Sequence, residues 1–278
     1  MRCYKYVSDS ASLASILAGE MKFTVPADLN DPSELFPKFS RDEVLESLSD
    51  LRTRGHTEEE LAGLRRQNAL MRALVSHYWK ADLPLTRGDA DLMIRLPIFD
   101  NIALIEQLFI GMLNAMSSAV AVACLSKRWD SLPMWAHYAH RARGAVVAYD
   151  NLEAVFPGDE TGWLNCLKEV SYTREMAGIS FYPDSYGAIF FSKFRDWAYE
   201  AETRVAAELS SCTNSRHENI VIHTRNVPVT HVSSVIFGWH MPAPAIDAVL
   251  RLVDNENCCH IQTEVARFHR GQFSLQPL

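Results

Sequence analysis

The sequence predicts an α+β fold with a mixed or antiparallel β core, and three observations carry that expectation. Runs of strand length and strand composition recur along the second half of the chain, at 119–125, 144–150, 166–172, 203–209, 219–223, 232–238 and 260–266. Helical periodicity is instead concentrated in one block, residues 41–118. No Gly-x-Gly-x-x-Gly and no P-loop is present, so nothing points to a doubly wound sheet.

The opening elements read as a strand at 3–7, a helix capped by Ser8 or Ser10 and closed by Gly19, and a second strand from Met21 to Val25. Residues 26–34, PADLNDPSE, form a turn-rich loop in which Pro26, Asn30, Asp31 and Pro32 each disfavour regular structure. Polar loops beside strands commonly carry function. In the block 41–118, Val44, Leu45, Leu48, Leu61, Leu64, Leu70, Leu74 and Val75 recur at helical spacing. Thr57 with Glu60 makes a capping box, Pro84 and Pro97 punctuate, and a further helix spans about 99–116. The block reads as a helical insertion of three or four helices within a single α+β domain, 1–278. Beyond it, Asp130 or Ser131 caps a helix with Pro133 in its first turn, and Gly144 ends it. A last helix occupies 242–254.

A formal net charge of −7 argues against broad phosphate binding, so nucleic acid is not indicated by bulk electrostatics, although a local basic pocket remains compatible. The longest apolar run, Ile98 to Val122, is interrupted by Asp100, Asn101, Glu106, Gln107 and Asn114, so no membrane span is expected. The N-terminal MRCYKYVSD lacks the apolar centre of a signal peptide. Six scattered cysteines without a Cys-x-x-Cys pair fit a reducing compartment, hence the cytoplasm. His137 and His140 have metal-ligand spacing but no recognisable third ligand, so no metal is expected.

The stretch richest in chemistry is 193–206, KFRDWAYEAETRVA. In an extended segment Glu200, Glu202 and Arg204 share one face, which puts two carboxylates beside a guanidinium. Such a row is either a salt-bridged strand or a site where one carboxylate orients a substrate and the other takes a proton. Asp31, Glu34, Glu200 and Glu202 together also make a carboxylate set that would suit Mg²⁺ in a phosphodiesterase. Neither Gly-x-Ser-x-Gly nor His-Glu-x-x-His is present, which leaves the classical hydrolase and kinase readings weak.

Taken in order, Tyr4-Lys5-Tyr6, Leu29-Asn30-Asp31-Pro32 with Glu34, Leu125-Ser126, Met134-Trp135-Ala136-His137-Tyr138 with Gly144, Lys193, Trp197, Tyr199-Glu200, Glu202, Arg204 and Ile236-Phe237-Gly238 form a series. That series resembles the bacterial family catalogued as domain of unknown function 2971 over nearly the whole chain, with the helical block as its variable part. The opening strand, short helix and polar loop are also similar to the start of ADP-ribosyltransferase folds, and Glu200-Ala201-Glu202 is similar to their Glu-x-Glu pair. This second resemblance implies a split-sheet core and NAD as co-substrate. It makes Glu202 the ribose-orienting residue and Glu200 the acceptor-side residue. Tyr4, Lys5 and Tyr6 would line the nicotinamide or phosphate pocket, and Trp135 and Tyr138 would pack against a flat ring. Asn30, Asp31, Glu34, Ser126, Lys193 and Arg204 complete the implied binding set. Two positions depart from the pattern: Lys5 or Tyr6 stands where a His or Arg is frequent, and Leu125-Ser126 is the only counterpart of a Ser-Thr-Ser strand. The acceptor is open among protein, nucleic acid and water, and a toxin or defence role is compatible. The alternative is a non-catalytic module binding a nucleotide or a protein in the same cleft.

Overall fold

The computed structural model describes residues 1–31, 39–65, 86–159, 162–175, 178, 180–182, 184–217 and 220–278. Strands β1 (Arg2–Val7), β3 (Val120–Ser126), β4 (Ala145–Asp150), β5 (Leu167–Glu169), β8 (Glu202–Glu208), β11 (Val232–Phe237), β12 (Gln262–His269) and β13 (Gln272–Pro277) build the main sheet. Its order is β13-β12-β11-β4-β1-β3-β8-β5, and every neighbouring pair is antiparallel except β11 with β12. The protein is therefore α+β with a large curled mixed sheet. A second sheet pairs β2 (Glu20–Phe23), β10 (Ile220–Asn226) and β9 (Thr213–His217), and touches the first through a Thr24–Val122 bridge. A short parallel ribbon joins β6 (Ser171–Thr173) to β7 (Ser192–Phe194).

Strand alternation sorts the sheet into two unlike faces. Cys3, Val7, Ala121, Ala123, Leu125, Val147, Tyr149, Val205 and Ala207 point to one side, where helices α1 (Ser10–Leu17) and α7 (Ala243–Val253) cover them. Their neighbours in sequence point to the other side and divide between two smaller cores. Val120, Val122 and Ala206 pack with the helical block, including α2 (Arg41–Arg54) and α4 (Ile102–Ala119). Tyr6, Val146, Ile236 and Ala266 pack with α5 (Leu132–Tyr138). Between these two apolar clusters the same face carries Tyr4, Ser126, Glu202 and Arg204. Polar side chains thus occupy the seam between the two apolar clusters, where Ser126, Glu202 and Arg204 are nonetheless buried.

Local signals explain most of the helices. Asp9, not Ser8 or Ser10, caps α1 by accepting the Ser12 amide at 2.7 Å. Ser40 caps α2, and Thr57 with Glu60 forms the expected reciprocal capping box, at 2.7 and 3.2 Å. Thr86 and Asp89 form a second one ahead of α3 (Arg87–Met93). Strands β7, β9 and β13 and the helix α6 (Asp184–Phe190) have no counterpart among the sequence expectations, being short or weakly periodic. The helix expected to reach Gly144 stops at Tyr138. Gly144 and Gly238 instead allow a close backbone approach. A Cβ on Gly144 would lie 2.1 Å from the Val7 carbonyl oxygen, and one on Gly238 would lie 2.2 Å from that of Ala142. Gly238→Ala is expected to destabilise by about 1–3 kcal/mol, because backbone rather than a flexible side chain must move. A denaturant midpoint unchanged from wild type would contradict that packing.

The helix α4 has the length and apolarity of a membrane span, with a mean hydropathy of 1.4, and only 17% of it is buried. Its buried stripe is Ile105, Phe109 and Met116, while Leu104 and Leu108 face outward.

Candidate functional site

The charge network is assembled by three consecutive local features. Strand β7 delivers Lys193. A 3-10 turn, Arg195–Glu200, then reverses the chain, and Ala201 adopts a left-handed conformation at φ 44° before β8 begins at Glu202. The two acids therefore lie on either side of a kink, not along one strand as the extended reading supposed. The kink is held from outside: the Ser126 hydroxyl donates to the Glu200 carbonyl at 2.6 Å, and the Lys127 amide donates to that of Ala201 at 2.9 Å. Ser131 donates to the Tyr199 carbonyl at 3.3 Å.

Lys193 Nζ donates to Glu200 Oε2 at 2.6 Å and reaches Glu202 Oε2 at 3.4 Å. Arg204 grips Glu202 with both ends of its fork, Nε to Oε1 at 2.7 Å and Nη2 to Oε2 at 2.8 Å. Its remaining Nη1 donates to the Phe190 carbonyl at 3.1 Å. The Tyr138 hydroxyl donates to Glu200 Oε1 at 2.5 Å and accepts from the Asn30 amide, which is exposed at the surface. Tyr172 accepts the Glu202 backbone N–H at 2.7 Å. All four charged side chains are nearly sealed, with Glu200 3%, Glu202 4%, Lys193 2% and Arg204 0% exposed.

Burial and charge act differently on the two carboxyls. Burial pushes Glu202 up, but the Arg204 charge and hydrogen bonds, with Lys193 behind them, outweigh it and hold the carboxyl at about 2. Glu200 lacks a guanidinium partner. For it burial prevails over Lys193 and Tyr138, and its carboxyl is raised above the ordinary glutamate value. Burial together with the Glu200 contact raises the Tyr138 hydroxyl. The pair therefore separates into one firmly ionised acid and one acid moved toward neutral pH, a pattern associated with divided acid and base roles.

The structure brings most of the expected residues together, with clear exceptions. Tyr4 stands opposite Ser126, and Ser126 stands opposite Glu202, so three adjacent strands set these side chains in one row. Asn30, Tyr138, Lys193 and Arg204 join them as described. Lys5 does not: pairing with Val147 turns it to the opposite face, where Nζ donates to the Cys124 carbonyl at 2.9 Å and burial lowers its pKa. A pocket lined jointly by Tyr4, Lys5 and Tyr6 is excluded by that alternation. Tyr6 is buried, donates to the Arg128 carbonyl at 3.0 Å, and meets Trp135 edge-on at 5.6 Å. Trp135 itself is 1% exposed, and its indole donates to the Trp129 carbonyl at 2.7 Å, which makes it core and not a platform for a ligand ring. Asp31 is buried beside Asn30 on the same loop. Glu34 lies outside the described residues.

One participant escaped the sequence reading: Tyr172 sits in a strand with no distinguishing signal. Trp197, a member of the motif series without an assigned role, faces the Lys193 ammonium at 4.8 Å, a cation–π contact that aromatic spacing alone does not reveal. Among the described residues no group of three or more His, Cys, Asp or Glu side chains is placed to hold a metal ion. Glu200 and Glu202, which a Mg²⁺ site would need, already face Lys193 and Arg204. Comparison with known proteins adds no relative: no family model, no curated protein and no solved structure matches the chain.

Proposed function

We propose that the chain engages an NAD-type dinucleotide over the row formed by Tyr4, Ser126 and Glu202, and that it transfers the ADP-ribosyl group. One observation supports this reading. The three segments that resemble the first strand, the Ser-bearing strand and the Glu-x-Glu strand of ADP-ribosyltransferases are side by side, with Tyr4, Ser126 and Glu202 in register on one face. The kinship with the bacterial family named above rests on its motif series alone and is part of the same proposal.

The chemistry follows from the two unlike carboxyls. Cleavage of the nicotinamide–ribose bond sends its electron pair to the departing nicotinamide and leaves an oxocarbenium-like sugar, as in glycoside cleavage. Glu202, kept anionic by Arg204, would hold the ribose hydroxyls and stabilise that charge. The incoming acceptor forms the new bond to the sugar and gives up its proton to Glu200, whose raised pKa suits a base better than an ordinary glutamate does. Tyr138 and Asn30 connect Glu200 to the surface, so ligand entry would part the Asn30–Tyr138 hydrogen bond.

A second reading is favoured by the clamp on Glu202. A carboxylate with both oxygens taken by one guanidinium is a structural ion pair, and the surface above it would then bind a nucleotide or a protein without turnover. Incubation of purified protein with NAD separates the two. The enzymatic reading expects free nicotinamide from wild type and a loss of about 100-fold or more in Glu202→Gln, with the variant still folded by thermal melting. Equal release by the variant would overturn the role of Glu202. No release by wild type would overturn the enzymatic reading, and a calorimetric titration with NAD would then decide whether binding survives.

A further inference from the structure

We propose that the surface running from the rim of the charge network, across the turn at residues 139–143, to the β12–β13 hairpin binds single-stranded nucleic acid. The inference does not depend on the NAD reading.

Trp239 is the centre of this surface. Half-buried, it meets Trp135 at 5.3 Å, Phe273 at 5.8 Å and Phe268 at 6.2 Å between ring centres. Phe268 is 37% exposed, although it lies on a strand next to another aromatic ring. Beside these rings the chain leaves α5 through three successive non-glycine residues in left-handed conformation, His140, Arg141 and Ala142, at φ 49°, 56° and 61°. Such a run is unfavourable for L-residues and persists only where its surroundings impose it. Here Ala142 is fully buried, its amide donates to the Trp135 carbonyl at 3.1 Å, and its carbonyl accepts from His240 at 2.9 Å. The fixed turn projects His140, Arg141 and Arg143 into solvent. Arg270, at φ 50°, is exposed at the tip of the β12–β13 hairpin.

Among the described residues, Arg141, Arg143 and Arg270 make no ion pair. Asp130, next to the Trp129 that meets Phe273 at 5.5 Å, is occupied by Arg128 at 2.9 Å. A chain of net charge −7 thus keeps unneutralised arginines on the two segments that flank Trp239: the turn that His240 hydrogen-bonds, and the hairpin that carries Phe268 and Phe273. Arginine forks suit phosphate oxygens, and flat rings suit the faces of unpaired bases. A duplex conceals those faces and an acidic peptide has none, so single-stranded nucleic acid is the polymer that uses both features. The surface is continuous with the charge network, because His137, one turn before His140, lies 6.4 Å from the Tyr199 ring and Tyr199 lies 6.0 Å from Trp197.

The test is fluorescence anisotropy of a labelled oligothymidine of about 12 nucleotides with the full chain. Three phosphates neutralised on a single strand give a slope near −2 against log salt, so affinity should fall about 20-fold from about 50 to about 200 mM salt. Phe268→Ala should weaken binding about tenfold. Arg141→Gln/Arg143→Gln/Arg270→Gln should remove most of the salt dependence, with an unchanged thermal midpoint in both variants. A duplex of the same length, or polyglutamate, should bind more weakly. Absence of binding by wild type at the lower salt, equal binding of the duplex or of polyglutamate, or full affinity in the folded triple variant would each overturn the proposal.

Discussion

Arg204→Met is expected to destabilise the protein by about 3–5 kcal/mol, among the largest effects of any single substitution here. Arg204 is 0% exposed, and its fork supplies both oxygens of Glu202 with charge-assisted hydrogen bonds. Removing it leaves a carboxylate that is 4% exposed beside Lys193, whose shorter bond already goes to Glu200. A buried charge without its partner is costly, whereas removal of both charges together is much less so. The double variant Glu202→Leu/Arg204→Met should therefore recover much of the lost stability. Chemical denaturation of the wild type, the two single variants and the double variant closes the cycle and isolates the pairwise term. A cost below about 1 kcal/mol for Arg204→Met would show that water reaches the pair, since exposed bridges contribute no more than that.

The second large effect is acid destabilisation. Glu202 sits at about 2 in the folded protein against an ordinary value of 4.5. A depressed carboxyl stabilises the fold above its unfolded pKa and ceases to do so as pH falls through its folded pKa. The window therefore runs from about pH 5 down to about pH 2, and a carboxyl held at about 2 instead of 4.5 corresponds to about 3 kcal/mol. Glu200 acts with the opposite sign. Its folded pKa is raised, so its contribution is present below the unfolded value and is lost as pH climbs through the folded one. The gap in stability between wild type and Glu202→Gln should accordingly shrink by about 3 kcal/mol across the acid window. The gap between wild type and Glu200→Gln should change in the reverse direction. A Glu202→Gln difference independent of pH would mean that Arg204 does not hold that carboxyl.

The residues of the network differ in how far they were readable beforehand. Glu200, Glu202 and Arg204 lie within five positions of one another, and their mutual charge announced an ion pair or a site. That Lys193 would close on both acids was not readable, because the 3-10 turn and the left-handed Ala201 that fold it back have no strong local signal. Tyr138 and Asn30 were legible as candidates, but their hydrogen bond to each other spans 108 positions and arises from packing of α5 against the loop after β2. Trp135 looked equally available, and only its burial beneath Tyr6 and Trp239 removes it from consideration.

Sequence alone determined the α+β class, the Thr57–Glu60 capping box and the clustering of acids and bases at 193–204, since each depends on periodicity or on neighbours a few residues apart, while Leu70, Leu74, Val75 and Pro84 of the expected helical block lie outside the described residues. Tertiary structure decided which strands stand side by side, hence the row of Tyr4, Ser126 and Glu202 and the exile of Lys5 to the apolar face. The physical reason is that alternation assigns a side chain to one of two faces, whereas the pairing of strands more than 70 residues apart, set by burial of both sheet faces at once, decides what shares that face with it.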